Sequence, residues 1–266
     1  MNLEKLCNEV KDIARETGQY ILDERKRFSA SDVQTKGKQN FVTRVDKSSE
    51  KMLVKRLGKL IPEAGFITEE GTAGQSGEAY QWIIDPLDGT TNYIHGLPPF
   101  AISIALAHEG EIVLGVIHEL GFREMFYAWK GSSAYRNGQE IRVSKTKSVN
   151  SSLIATGFPY TVFERIDPFM KSVRHFMQNS HGLRRLGSAA TDLAYVACGR
   201  FEAFYEYGLN PWDVAAGVFI IQKAGGRACD FYGNDNWLHG GTIIASNASI
   251  YEEFKGVIQE IFVPQE

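Results

Sequence analysis

Leu3, Leu6, Val10, Ile13, Ala14 and Ile21 recur at helical spacing, so the chain opens with an amphipathic helix running to about residue 28. Residues 30–41 are polar and glycine-containing and read as a mobile loop. Asp46 and Ser48 can cap a second helix, with Met52, Leu53, Leu57 and Leu60 on its inner face and Pro62 at its end. Strands follow near 65–68 and 80–85. Residues 100–108, 111–119 and 122–129 alternate or run apolar between turns at Glu109-Gly110 and Gly121, which is an antiparallel meander. Asn137-Gly138 is a hairpin turn. From about residue 150, strands and helices alternate over 152–156, 162–179, 188–199, 202–206, 211–224, 242–246 and 248–261. This order predicts an antiparallel-sheet α+β unit over 1–145 and an α/β unit over 146–266, with a site at their junction.

Two of the apolar runs end in acids, and that changes the picture. Trp82-Ile-Ile-Asp85-Pro-Leu-Asp88-Gly89-Thr90-Thr91-Asn92 is a buried-strand pattern closed by two carboxylates around a proline. Asp and Pro are poor strand interiors, so the strand should stop at Asp85, with both acids at its carboxyl end. The upstream strand finishes the same way, in Thr68-Glu69-Glu70-Gly71. Four acids in one small volume repel each other and raise each other's pKa unless a cation offsets them, and a hard divalent metal is the obvious candidate. A third segment, Glu206-Tyr-Gly-Leu-Asn-Pro211-Trp212-Asp213, reads as a strand, a loop and the first turn of a helix. Taken alone, Asp213 is a favourable acid at the positive end of that helix; beside the other clusters it becomes a distal metal ligand.

With 266 residues, of which 43% are hydrophobic, the chain can fill a substantial core as one large domain or two intimate ones. A net charge of −3 argues against a nucleic-acid surface. Cys7, Cys198 and Cys229 form no zinc or disulfide pattern, the six histidines show no metal-ligand pairing, and no apolar stretch approaches membrane length. A cytoplasmic protein with no membrane partner is expected.

The set Glu69-Glu70-Gly71, Asp85-Pro-Leu-Asp88-Gly-Thr90-Thr91 and Trp212-Asp213-Val-Ala-Ala-Gly217 resembles the inositol monophosphatase family, over nearly the whole chain. The resemblance implies a layered αβαβα sandwich and a homodimer, with the apolar middle strands and the 150–190 region contributing. It implies a Mg²⁺-dependent, Li⁺-sensitive phosphatase with two to three Mg²⁺ per subunit, acting on a small phosphorylated polyol or sugar. Glu69, Asp85 and the carbonyl of Leu87 should hold one Mg²⁺. Asp85 should bridge to a second, held with Asp88 and Asp213, and Glu69 should support a third through waters. Thr90 and Glu69 should orient the attacking water, with Asp46 taking the threonine proton. The amides of Gly89 and Thr90 should bind phosphate. Gly187, Ser188, Ala189, Glu206 and Asp88 should read the leaving group, and Lys36 lies where the family has a mobile basic loop. Inositol monophosphate is the first substrate expected, with NADP(H) 2′-phosphate or fructose 1,6-bisphosphate as alternatives. A metal-binding scaffold or regulatory protein that has lost catalysis is a further reading.

Overall fold

The computed structural model describes residues 1–27, 33–37, 40–73, 77, 79–159 and 163–263. The first helix, α1 (Leu3–Arg25), begins at Asn2, whose side chain accepts from the Lys5 amide. It buries Leu6, Val10, Ile13, Thr17 and Ile21, the stripe its spacing predicts. Next comes a departure from the expected loop at 30–41: β1 (Val33–Gly37) and β2 (Asn40–Thr43) pair antiparallel. The run is polar and glycine-containing, so its sequence shows no strand alternation of apolar and polar positions. Helix α2 (Arg44–Leu60) then starts two residues before Asp46, so Asp46 lies in its first turn and is not a cap.

A seven-stranded sheet follows: β3 (Gly65–Thr68), β4 (Tyr80–Asp88), β5 (Ala101–His108), β6 (Glu111–Glu119), β7 (Glu124–Trp129), β8 (Ala134–Arg136) and β9 (Gln139–Ile141). They neighbour one another in chain order; β3 and β4 are parallel and the rest antiparallel. Strand β4 does not end at Asp85. Its pairing with β5 lapses after Asp85, where Pro86 can donate no hydrogen bond, and resumes at Asp88 opposite Ala101. The short helix α3 (Thr90–His95) lies between β4 and β5.

The second sheet has five strands in the order β11-β10-β12-β14-β13. These are β10 (Leu153–Thr156), β11 (Gly182–Arg184), β12 (Ala203–Tyr207), β13 (Gly226–Cys229) and β14 (Thr242–Asn247). Strands β11 and β13 are absent from the sequence reading, being short and glycine-led. Helices α4 (Ile166–Asn179), α5 (Ala189–Ala197), α6 (Pro211–Lys223) and α7 (Tyr251–Phe262) complete the chain.

Layering follows from burial. Helices α1 and α2 cover one face of the large sheet. Helices α5 and α6 fill the space between the sheets, and α4 and α7 cover the outer face of the small one. The result is the αβαβα sandwich. Helix α6 shows why: Val214 through Ile221 are all buried, so it is apolar around its whole circumference, as a middle layer requires. Close approach needs small residues there, and a Cβ at Gly115 of β6 would sit 2.9 Å from the Ala216 carbonyl oxygen of α6. The middle strands β5 and β6, offered by the sequence as dimer surface, are themselves buried within the subunit. No helix among the described residues is long and apolar enough to cross a membrane.

Candidate active site

Because β3 and β4 are parallel, with Thr68 opposite Ile84, their acidic ends emerge side by side. Glu69, Asp85 and Asp88 line a cavity of about 230 Å³ together with Asp213 from the first turn of α6. Leu87, Gly89, Thr90, Gly187, Ser188, Ala189 and Glu206 line the same space. Glu70, the fourth strand-end acid, does not. The side chains of Lys36 and Lys38 lie outside the described residues.

Backbone geometry fixes each acid. Asp85 accepts from the Leu87 amide at 2.8 Å through one carboxylate oxygen, which closes the turn around Pro86. One oxygen of Asp88 accepts from the Ser188 hydroxyl and the Ala190 amide, both at 2.7 Å, and so ties β4 to the start of α5. Asp213 accepts from the Asn210 amide at 2.7 Å, half of a capping box. Acid at the helix start and acid of the cavity are therefore the same residue. Gly89 turns the chain with φ of +88°, and a Cβ there would come 3.0 Å from the Pro99 carbonyl oxygen and 3.1 Å from that of Gly187. Only glycine fits this crossing.

The Thr90 hydroxyl lies 3.0 Å from an Asp46 carboxylate oxygen and 3.0 Å from the Leu87 carbonyl oxygen. It has one proton, so it donates to one of them at a time. When the carbonyl is engaged elsewhere the proton goes to Asp46, which is buried.

Acids outnumber cations around the cavity. Burial, then Glu69, Asp88 and Asp213, hold the Asp85 carboxyl well above the usual carboxylate range. Burial, eased by its hydrogen bonds, pushes Asp88 up to about 6; burial and then Asp88 push Asp213 up to about 7. Glu206 on β12 is raised too, by burial and then by Asp213 and Asp88. Among the described lining residues the single cation is Arg185, whose guanidinium lies 5.4 Å from the Phe158 ring centroid.

Sequence reasoning missed three participants. Arg185 and Asp192 line the cavity, and Asp192 is buried on α5 with one carboxylate oxygen that has no hydrogen-bond partner. Glu50, fully buried on α2, accepts from two amides of the loop that carries Glu69. Nothing in a helical Ser-Ser-Glu-Lys run distinguishes such a glutamate from a solvated one.

These donors suit a hard cation. All are carboxylate or carbonyl oxygens, and the raised pKa values mark negative charge awaiting a positive partner. Among the described residues no three acids close into a tight ligand shell. Mg²⁺ keeps several of its waters, so acids spread around a cavity still serve it.

A sequence profile of the inositol monophosphatase family matches residues 2–262. The Nus factor SuhB of Pseudomonas aeruginosa is 39% identical over 256 residues, covering 94% of each chain. The inositol-1-monophosphatase of Rhizobium meliloti is 41% identical over 229 residues, covering 85% of this chain and 86% of its own. The crystal structure of the extragenic suppressor protein suhB from Bartonella henselae superposes with a TM-score of 0.91 at 35% identity, over 96% of this chain and 99% of that one.

Proposed function

The chain belongs to the inositol monophosphatase family of phosphatases, and on that premise we propose that it is a Mg²⁺-dependent enzyme hydrolysing inositol monophosphate or a related small phosphate monoester in the cytoplasm. One observation carries the reading. Carboxylates from the end of β3 (Glu69), from β4 and from α6 converge on a cavity that Thr90, hydrogen-bonded to Asp46, also lines.

Glu69, Asp85, the Leu87 carbonyl, Asp88 and Asp213 would hold two to three Mg²⁺. Held by these residues, Mg²⁺ would supply a lowered water pKa and positive charge for the phosphoryl oxygens and the leaving alkoxide. The protein's own groups do the rest. With its proton given to Asp46, the Thr90 hydroxyl offers lone pairs to a water that Glu69 also accepts from, and so aims it at phosphorus. The amides of Gly89 and Thr90 would donate to the phosphate. Glu206, beside Ser188 and Ala189, would accept from hydroxyls of the leaving group. No side chain is required to attack phosphorus. The test is phosphate release from inositol 1-phosphate, NADP⁺, fructose 1,6-bisphosphate and 2-glycerophosphate, with Mg²⁺ and with excess chelator. Inositol 1-phosphate should lead, Li⁺ should inhibit, and full activity in chelator would refute the reading. The Nus factor name belongs to the relatives that carry it; the complete set of acids and Thr90 in this chain favours catalysis over a scaffold.

Stability should respond to pH and Mg²⁺ together. Asp88 and Asp213 titrate at about 6 and about 7 when folded, above their unfolded values. The folded protein therefore binds extra protons, and that contribution is fully present below the unfolded pKa and lost as pH rises through about 7. Mg²⁺ replaces those protons. Its addition should raise the melting temperature more at about pH 8 than at about pH 5.5; an equal or reversed effect in calorimetry would contradict the cation site.

The chain should also be a homodimer. Phe122, 60% exposed, lines a groove with Pro98, Pro99, Leu186, Tyr195 and Phe201, edged by Glu124, Arg184 and Arg200, and Leu97, 59% exposed, precedes Pro98 in the chain. So much apolar surface on one side of a subunit fits a second copy. Sedimentation should give twice the chain mass, and Phe122→Asp should shift it toward one chain; a wild-type monomer at micromolar concentration would reject the dimer.

A further inference from the structure

A buried acid that makes no contact with the cavity sits behind it. Glu50 has no exposed surface. One of its carboxylate oxygens accepts from the Glu70 amide at 2.7 Å and the other accepts from the Thr72 amide at 2.7 Å. Between those amides lies Gly71, with φ of +63°, and immediately before them lies Glu69, whose own amide donates to the Ile84 carbonyl at 3.3 Å. The loop bearing Glu69 is thus pinned to β4 on one side and to α2 on the other.

Glu50 also follows Asp46 by one helical turn, so the two carboxylates share a face of α2. Asp46 receives the Thr90 hydroxyl. A single rigid helix therefore sets the positions of both Glu69 and Thr90, the two groups between which a water must be aimed. Charge-assisted hydrogen bonds to a doubly accepting carboxylate are the strong kind, and a buried amide left without its acceptor is costly. We infer that Glu50 is a positioning residue which holds the Glu69 loop in register with Thr90 and thereby sets the Mg²⁺ affinity of the site. The inference rests on Glu69 as a cation ligand.

The chemistry of the side chain gives an unusual signature. Glu50→Gln, ordinarily conservative, keeps one accepting oxygen but turns an NH₂ toward the second amide, donor against donor. It should release the loop. Glu50→Asp keeps two acceptors on a shorter stem and should recover part of the effect. Calorimetric titration of Mg²⁺ into wild type and variants, below the melting temperature of each, should show affinity about 10- to 100-fold weaker for Glu50→Gln, the range typical of groups that orient ligands. The Mg²⁺ concentration for half-maximal phosphate release should rise in parallel, while the substrate KM at saturating Mg²⁺ stays close to wild type. A purely structural role would lower the melting temperature and leave Mg²⁺ affinity unchanged, and that result would overturn the inference. Glu69→Gln separates the premise from the inference. If it too leaves Mg²⁺ binding intact, the ligand assignment fails; if it weakens binding and Glu50→Gln does not, Glu50 alone is wrongly placed. Should the variants not fold, hydrogen exchange in the wild type decides, because slow exchange of the Glu70 and Thr72 amides without Mg²⁺ is required and fast exchange would overturn it.

Discussion

Asp213→Asn is expected to lower phosphate release by orders of magnitude and to regain part of it at high Mg²⁺. The substitution is unusually clean. Asparagine keeps an oxygen that can accept from the Asn210 amide, so the capping box at the start of α6 survives and the helix stays where it is. What is lost is one negative charge on the cavity wall. The cation held there weakens, and more Mg²⁺ in solution restores its occupancy by mass action. The metal-free variant should also melt above the wild type at about pH 8, since one of several mutually repelling buried acids has been neutralised. Activity and metal-free stability moving in opposite directions would be hard to produce by misfolding. Unchanged Mg²⁺ dependence would remove Asp213 from the site.

Thr90→Ala should fail differently. Every carboxylate remains, so the Mg²⁺ dependence stays near wild type. The hydroxyl that lies between Asp46 and the Leu87 carbonyl disappears, and with it the group that aims the water. Losing one positioned proton-transfer partner typically costs about 10² to 10⁴ in rate, so kcat should fall by that much with no rescue by added Mg²⁺. Thr90→Ser keeps the hydroxyl and should remain near wild type. A Thr90→Ala enzyme with nearly normal kcat, or one restored by Mg²⁺, would show that Asp46 and Thr90 do not activate water.

Much of this was legible in the chain because the informative residues interrupt strong local patterns. Apolar runs ending in Glu69 and Asp85 located both strands and the edge where they finish. Pro211 and Asp213 marked a helix start as well as an acid. Where a strand continues was harder to read. Proline predicts a stop at Asp85, yet the ladder resumes at Asp88 because a bulge lets β4 and β5 re-pair beyond the interruption. Hidden entirely were Glu50, Asp192 and Arg185. Their significance comes from what other segments bring against them: Glu50 and Arg185 stand in ordinary polar stretches, and Asp192 reads as a first-turn acid of an apolar helix. Burial of a charged residue is a tertiary fact. The same applies to β5 and β6, whose apolar faces suggested an intersubunit surface and are instead covered by helices from both ends of the chain.

The helix that supplies Asp213 is also the slab between the two sheets, seated against β6 closely enough that Gly115 can carry no side chain. A chain still emerging from the ribosome therefore possesses Glu69, Asp85 and Asp88 long before it can complete a binding site, because their counterpart arrives only when α6 has been made and wedged into place. On the proposed reading, a divalent ion captured at that moment would join stretches far apart in the chain and act as a late cross-link, favouring the finished fold by the length of loop it closes.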